Sequence, residues 1–161
     1  MAAGEQSPRI AVPAADVSPR RRQVLYPDVF AARMVGRVKY ALGDVFGLKN
    51  FGINLTRLAP GAISALRHTH SLQDEFIYVL EGSPTLVTDV GETVLSPGFC
   101  AGFPAGGVSH QLVNRTLAEV AYLECGDRTL GDRVTYPEDD MLAALGSDCV
   151  WTFTHADGRP Y

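Results

Sequence analysis

The pattern of hydrophobic and polar positions changes character three times along the chain. Up to Gln23 there is no sustained period, only scattered Ala, Pro and Arg, so residues 1–23 are expected to form a flexible arm, ordered only through contact with a partner subunit. From Val24 to Leu48 the signals are mixed: Tyr26-Pro27-Asp28 reads as a turn and Arg37–Leu42 as an early strand. Order sharpens from Phe51. Ile53–Leu58 alternates apolar and polar and stops at Pro60-Gly61, which predicts a strand and a turn. Turn signals then recur at Gln73-Asp74, Gly82-Ser83-Pro84, Asp89-Val90-Gly91, Ser96-Pro97-Gly98, Pro104–Gly107 and Asn114-Arg115. Between them lie short runs rich in Val, Ile, Leu, Thr, Phe and Tyr. Short strands at this spacing predict an antiparallel sandwich or barrel over residues 24–126. Beyond Cys125 the pattern shifts again. Gly126–Asp132 reads as a loop, and Pro137–Leu145 as a short helix with proline in its first turn, acids at its start and Gly146 after its end. Cys149–Phe153 reads as a last extended piece, with Trp151 and Phe153 on the side that covers the barrel. Residues 127–161 are thus expected as a C-terminal extension packed on the barrel.

Composition adds a few exclusions. At 161 residues, 46% hydrophobic and 20% charged, the chain is expected to be a single globular domain with tails. Sixteen glycines and ten prolines favour turns over a helix bundle. A net charge of −4 argues against nucleic acid as a partner, and the one basic run, Arg20-Arg21-Arg22, falls in the arm. The three cysteines are widely spaced and odd in number, so no disulfide framework follows and a reduced setting is expected. No apolar stretch is long enough for a signal peptide or a membrane span; the expectation is a soluble, cytoplasmic protein with no membrane partner.

Histidine placement carries the chemistry. Three of the four histidines lie in two short stretches: His68 and His70 between Gly61 and Gly82, and His110 between Gly98 and Asn114. Residues two apart point the same way on a strand and nearly opposite ways on a helix, so His68-Thr69-His70 can converge on one ion only if it is extended. Glu75 opens the apolar strand Phe76–Leu80, and a hairpin would bring it back beside the histidines. A carboxylate at that position is costly to bury without a cation or donor. His110 would complete the set from a later strand. Three neutral imidazoles and one carboxylate suit a divalent ion and leave two positions open on an octahedral one.

Together these stretches resemble the two signature motifs of the cupin superfamily. The first is matched in its glycines, His68, His70, Glu75 and Gly82, with one extra residue between Gly61 and His68. The second is matched by Gly98, Pro104, Gly106, His110 and Asn114, with one extra residue before His110. The resemblance implies an all-β fold, a double-stranded β-helix or jelly-roll barrel. It also implies one divalent metal ion (Zn, Mn, Ni or Fe) on His68, His70, Glu75 and His110, and pairing of subunits as a homodimer. It does not by itself choose a reaction. The whole-chain pattern is also similar to small single-domain bacterial cupins, some labelled sugar-phosphate isomerases and most without an assigned function.

The reading that follows is a metal-dependent enzyme acting on a small oxygenated metabolite, of the Lewis-acid isomerase, epimerase or lyase type. The alternatives are an Fe(II)-dependent dioxygenase and a non-catalytic binding protein for metal or small ligands. Glu75 and Tyr122 are the candidate catalytic groups. Arg57, Arg67, Gln73 and Asn114 are the candidate substrate contacts, with Asn114 also suited to holding a turn. Cys100 is expected to be a small buried hydrophobe.

Overall fold

Strands dominate because short β-branched and aromatic runs are interrupted by turns too often for helices to form. The computed structural model describes residues 10–22 and 24–161; residues 1–9 and 23 of the expected arm lie outside the described residues. A five-stranded antiparallel sheet is ordered β1-β2-β9-β4-β7, from Arg37–Ala41 (β1), Phe51–Leu58 (β2), Val120–Asp127 (β9), Glu75–Glu81 (β4) and Cys100–Phe103 (β7). Two smaller sheets complete the fold. One is ordered β6-β5-β8, from Gly91–Val94 (β6), Thr85–Thr88 (β5) and His110–Val113 (β8). The other is ordered β12-β11-β10-β3, from Trp151–Thr154 (β12), Leu142–Leu145 (β11), Arg133–Thr135 (β10) and Thr69–His70 (β3). Isolated bridges at His68↔His110 and Ile63↔Val113 join the segment before β3 to β8, so the two small sheets act as one wall. The result is an all-β jelly roll.

Alternation along the strands decides what faces inward. On β4, Ile77 and Val79 are buried, while Phe76, Tyr78 and Leu80 are each 40–43% exposed. Leu58, Ile77, Val79, Val120 and Tyr122 of the large sheet pack with Leu112 of β8 as the main core. A second cluster, Met34, Leu66, Val134, Tyr136, Met141 and Ala143, sits under the C-terminal strands, with Trp151 and Phe153 packed against it. Register places cavity-side residues in rows across the large sheet: Lys39, Thr56, Tyr122 and Val79 in one, Asn54, Glu124 and Ile77 in the next.

Two expectations are corrected. The short C-terminal helix over Pro137–Leu145 does not form: Leu142–Leu145 is strand β11, paired with both β10 and β12. Helix propensity in Leu-Ala-Ala-Leu is overridden because Ala143 and Leu145 are buried on one side of a sheet. The acids before it are used in tertiary pairing, Glu138 with Arg67 and Asp139 with Arg33, while Asp140 accepts from the Ala156 N–H. Cys100, expected to be buried, is exposed on β7. The helix that does form, Asp28–Ala31 (α1), is a single turn that leads into β1. Upstream of it the Arg20 N–H donates to the Lys39 carbonyl at 2.9 Å, which lays this part of the arm along β1.

Candidate metal centre

Backbone pairing, before any side chain, brings the histidines together. The His110 N–H donates to the His68 carbonyl at 2.8 Å, and the His68 N–H returns a bond to His110 at 3.2 Å. The two residues are therefore cross-strand neighbours. His70 lies two residues along from His68 and is paired with Val134 of β10. Glu75 comes from the facing sheet, at the start of β4. Its Oε2 lies 3.0 Å from His110 Nε2, 3.3 Å from His68 Nε2 and 3.5 Å from His70 Nε2. The donor atoms of His68, His70 and Glu75 all lie within 4.8 Å of one another.

The other ring nitrogens show that the donor set fits a metal ion. His68 Nδ1–H donates to the Leu66 carbonyl at 2.8 Å, and His70 Nδ1–H donates to Asp132 Oδ2 at 2.6 Å. With the proton held on Nδ1, each Nε2 carries its lone pair toward Glu75. That is the tautomer a metal requires. Burial lowers the His110 pKa, against the pull of its hydrogen bond to Glu75, which favours the neutral ring. Its ring stacks on Phe103 at 3.6 Å between centroids, fixing its orientation. Burial pushes the Glu75 carboxyl up, but the surrounding imidazoles, His110 foremost through its hydrogen bond, outweigh it. The pKa falls well below the ordinary value, and the group stays an anion.

Asp132 is the residue that sequence reasoning missed. It is fully buried, in the loop before β10, and accepts from His70, from the Ser71 hydroxyl at 3.1 Å and from the Leu72 N–H at 2.8 Å. A carboxylate beyond the ligand set that orients an imidazole is a common partner of metal-binding histidines. Its only sequence signal was a Gly-Asp pair inside a stretch that reads as loop.

His68, His70, Glu75 and His110 line a cavity of about 250 Å³. Tyr122 lines it as well, is 1% exposed, and its hydroxyl has no hydrogen-bond partner of ordinary geometry among the described residues. Burial drives its pKa well up, so it remains a neutral donor. Tyr26 and Tyr136 close another side; burial raises the pKa of both. The remaining wall is basic. Arg20 and Arg22 of the arm and Arg37 and Lys39 of β1 all line the cavity, with Glu124 as the local acid.

The expected substrate contacts lie elsewhere. Arg57 pairs with Glu119 at 2.6 Å on the surface, and Arg67 pairs with Asp89 and Glu138. Gln73 donates to the Thr129 carbonyl at 2.8 Å. Asn114 is fully buried and ties a turn, donating to the Leu58 and Ala118 carbonyls and accepting from the Thr116 N–H and hydroxyl. None of the four lines the cavity. For the arginines a salt-bridge partner was closer than the barrel mouth. For Asn114 the turn-holding role prevailed.

Comparison with known proteins places this geometry. A family model for the Cupin domain matches residues 54–125. A sugar phosphate isomerase from a cupin superfamily, solved from Silicibacter pomeroyi, is 43% identical, with a TM-score of 0.88 over 94% of this chain and 96% of its own. A proposed sugar phosphate isomerase from Acidithiobacillus ferrooxidans is 28% identical, with a TM-score of 0.70 over 85% and 95%. The polyketide cyclase RemF of Streptomyces resistomycificus, at 24% identity and a TM-score of 0.61 over 73% and 78%, shares the fold. None of the curated proteins matches the chain. No helix among the described residues is long and apolar enough to cross a membrane.

Proposed function

The chain belongs to the cupin superfamily, and from that membership and its cavity we propose a metal-dependent isomerase acting on a small phosphorylated sugar. One observation carries the reading: three imidazole Nε2 atoms converge on Glu75 in a cavity that four basic side chains also line. The imidazoles and Glu75 suit a first-row divalent ion such as Zn, Mn, Ni or Fe, and the basic side chains suit an anionic group on the substrate. The solved relative from Silicibacter pomeroyi, named a sugar phosphate isomerase, supports the same substrate class.

A divalent ion held by His68, His70, Glu75 and His110 would supply a Lewis acid that polarises a substrate carbonyl. The chain's own groups do the rest. His70, held by Asp132, and His68, held by the Leu66 carbonyl, keep their rings fixed with Nε2 turned toward Glu75. Glu75 is ionised, and its Oε1, outside the contacts to the three rings, is the group to take a proton from a substrate carbon. Tyr122 stays protonated and donates to a substrate oxygen. Phe103, Val134, Trp151 and Phe153 supply apolar lining that limits water. The three cysteines form no disulfide, which suits a reduced, cytoplasmic setting. Tyr78, Leu80 and Phe99 are 40–50% exposed and offer an apolar face for the homodimer.

The test is interconversion of aldose and ketose phosphates, followed by NMR, with metal-loaded and chelator-stripped protein. Conversion by the loaded form alone is expected. Failure of every aldose and ketose phosphate in a panel of three to six carbons would overturn the reading. Iron- and substrate-dependent oxygen uptake would replace it with the dioxygenase.

A further inference from the structure

The protein carries a net charge of −4, yet among the described residues its cavity is lined by four cationic side chains and two carboxylates, Glu75 and Glu124. Glu75 belongs to the imidazole cluster. Glu124 is engaged by Lys39 Nζ at 2.6 Å and by Asn54 Nδ2 at 2.9 Å, and Asn54 Oδ1 accepts from Arg20 Nη2 at 2.9 Å. Arg37 Nη1 donates to the Ser64 carbonyl at 2.7 Å. These bonds hold the basic groups in place along β1 and β2. Arg20 and Arg22 flank a bend at Arg21, and both line the cavity.

From this arrangement we infer that Arg20 and Arg22 of the N-terminal arm join Arg37 and Lys39 to form a phosphate subsite. Its β1 members lie across the large sheet from Glu75 on β4. This inference rests on the cavity's being the substrate site of the proposed isomerase, and it names the residues that select its phosphorylated substrate. β1 and β4 are three strand spacings apart in the sheet, roughly 14 Å. The carbonyl end and the phosphate end of one small molecule can therefore be held at opposite walls. Several guanidinium groups suit a dianion better than a single carboxylate would require, because each presents a planar fork to phosphate oxygens. Specificity then depends on a segment outside the barrel's signature motifs, docked through the Arg20–Lys39 backbone bond.

Isothermal titration with inorganic phosphate tests this on the full chain, metal-loaded and metal-stripped. Wild type should bind phosphate saturably in both states. Arg22→Ala should weaken binding at least tenfold, Arg20→Ala/Arg22→Ala further, and Arg22→Lys should restore part of it. Arg22 is exposed, so its replacement spares the core. Arg57→Ala removes the same charge outside the cavity and should change nothing. Absence of saturable binding, wild-type affinity in the double variant, or an equal loss in Arg57→Ala would overturn the inference. Turnover without phosphate binding would reject the subsite and keep the isomerase; phosphate binding without turnover would do the reverse.

Discussion

Replacing Asp132 by Asn tests whether a carboxylate that never touches the ion governs the site. Asp132 is fully buried and accepts three hydrogen bonds, the shortest, 2.6 Å, from His70 Nδ1. In Asp132→Asn one side-chain oxygen becomes an NH₂ donor of nearly the same size. If the amide oxygen stays with Ser71 and Leu72, the NH₂ faces His70 Nδ1, which must then accept. The ring proton moves to Nε2, where it blocks a metal. If the amide turns over, its NH₂ opposes the Leu72 N–H instead. Loss of a partner that orients a ligating histidine costs 10–100-fold in metal affinity, or about 1.4–2.7 kcal/mol. Asp132→Ala also leaves several donors without an acceptor, each costing about 1–3 kcal/mol. Competition with a chromogenic chelator measures the affinity, and urea unfolding of the stripped protein measures the structural part. The expected signature is a 10–100-fold loss in Asp132→Asn, larger than its change in apo stability explains. Affinity within threefold of wild type would refute the orienting role.

Other outcomes follow from single residues. His68→Ala, His70→Ala and His110→Ala should each lower metal content sharply by elemental analysis of purified protein, and affinity should fall on acidification because the imidazole must be neutral to bind. Asn114→Ala should lower unfolding free energy by about 2–4 kcal/mol in urea, through the loss of its turn bonds, with metal content unchanged. Gly82 has φ +75°, and a Cβ there would meet the Glu119 carbonyl oxygen at 2.7 Å, so Gly82→Ala should destabilise by roughly 1–3 kcal/mol in the same assay. Asp140 has its pKa held below the ordinary 3.8, first by the Ala156 N–H and then by His155. A depressed folded pKa gives stability that is present above the unfolded value and lost as pH falls through the folded one. The gap in urea midpoint between wild type and Asp140→Asn should therefore stand at pH 7 and close as pH falls below the ordinary 3.8 and through the lowered folded pKa.

What the sequence disclosed and what it hid divide along physical lines. Strand period is local, so β2 and β4 were legible, and with them the shared face of His68 and His70. The placement of Glu75 beside them needed only a hairpin-scale inference. Leu142–Leu145 misled because its local preference is helical while its fate depends on β10 and β12 pairing on either side. Asp132 and the basic wall depend on contacts distant in sequence: Asp132 lies 62 residues from His70, and Glu124 lies 85 from Lys39. Arg37 and Lys39 did carry a cue, since they share one face of a predicted strand. The arm's Arg20 and Arg22 carried none, because charge in an aperiodic stretch reads the same whether it faces water or a cavity.

The His70–Asp132 bond has a consequence for how the protein is made. His68, His70 and Glu75 leave the ribosome early, but β3 has no partner and His70 no acceptor until β10 and its preceding loop have followed. An ion captured by the nascent chain would meet two rings and a carboxylate whose orientations nothing yet fixes. High-affinity uptake of the proposed ion would thus be deferred until synthesis has passed Asp132, favouring selection of the ion by a nearly finished barrel over capture by whichever metal first reaches the emerging histidines.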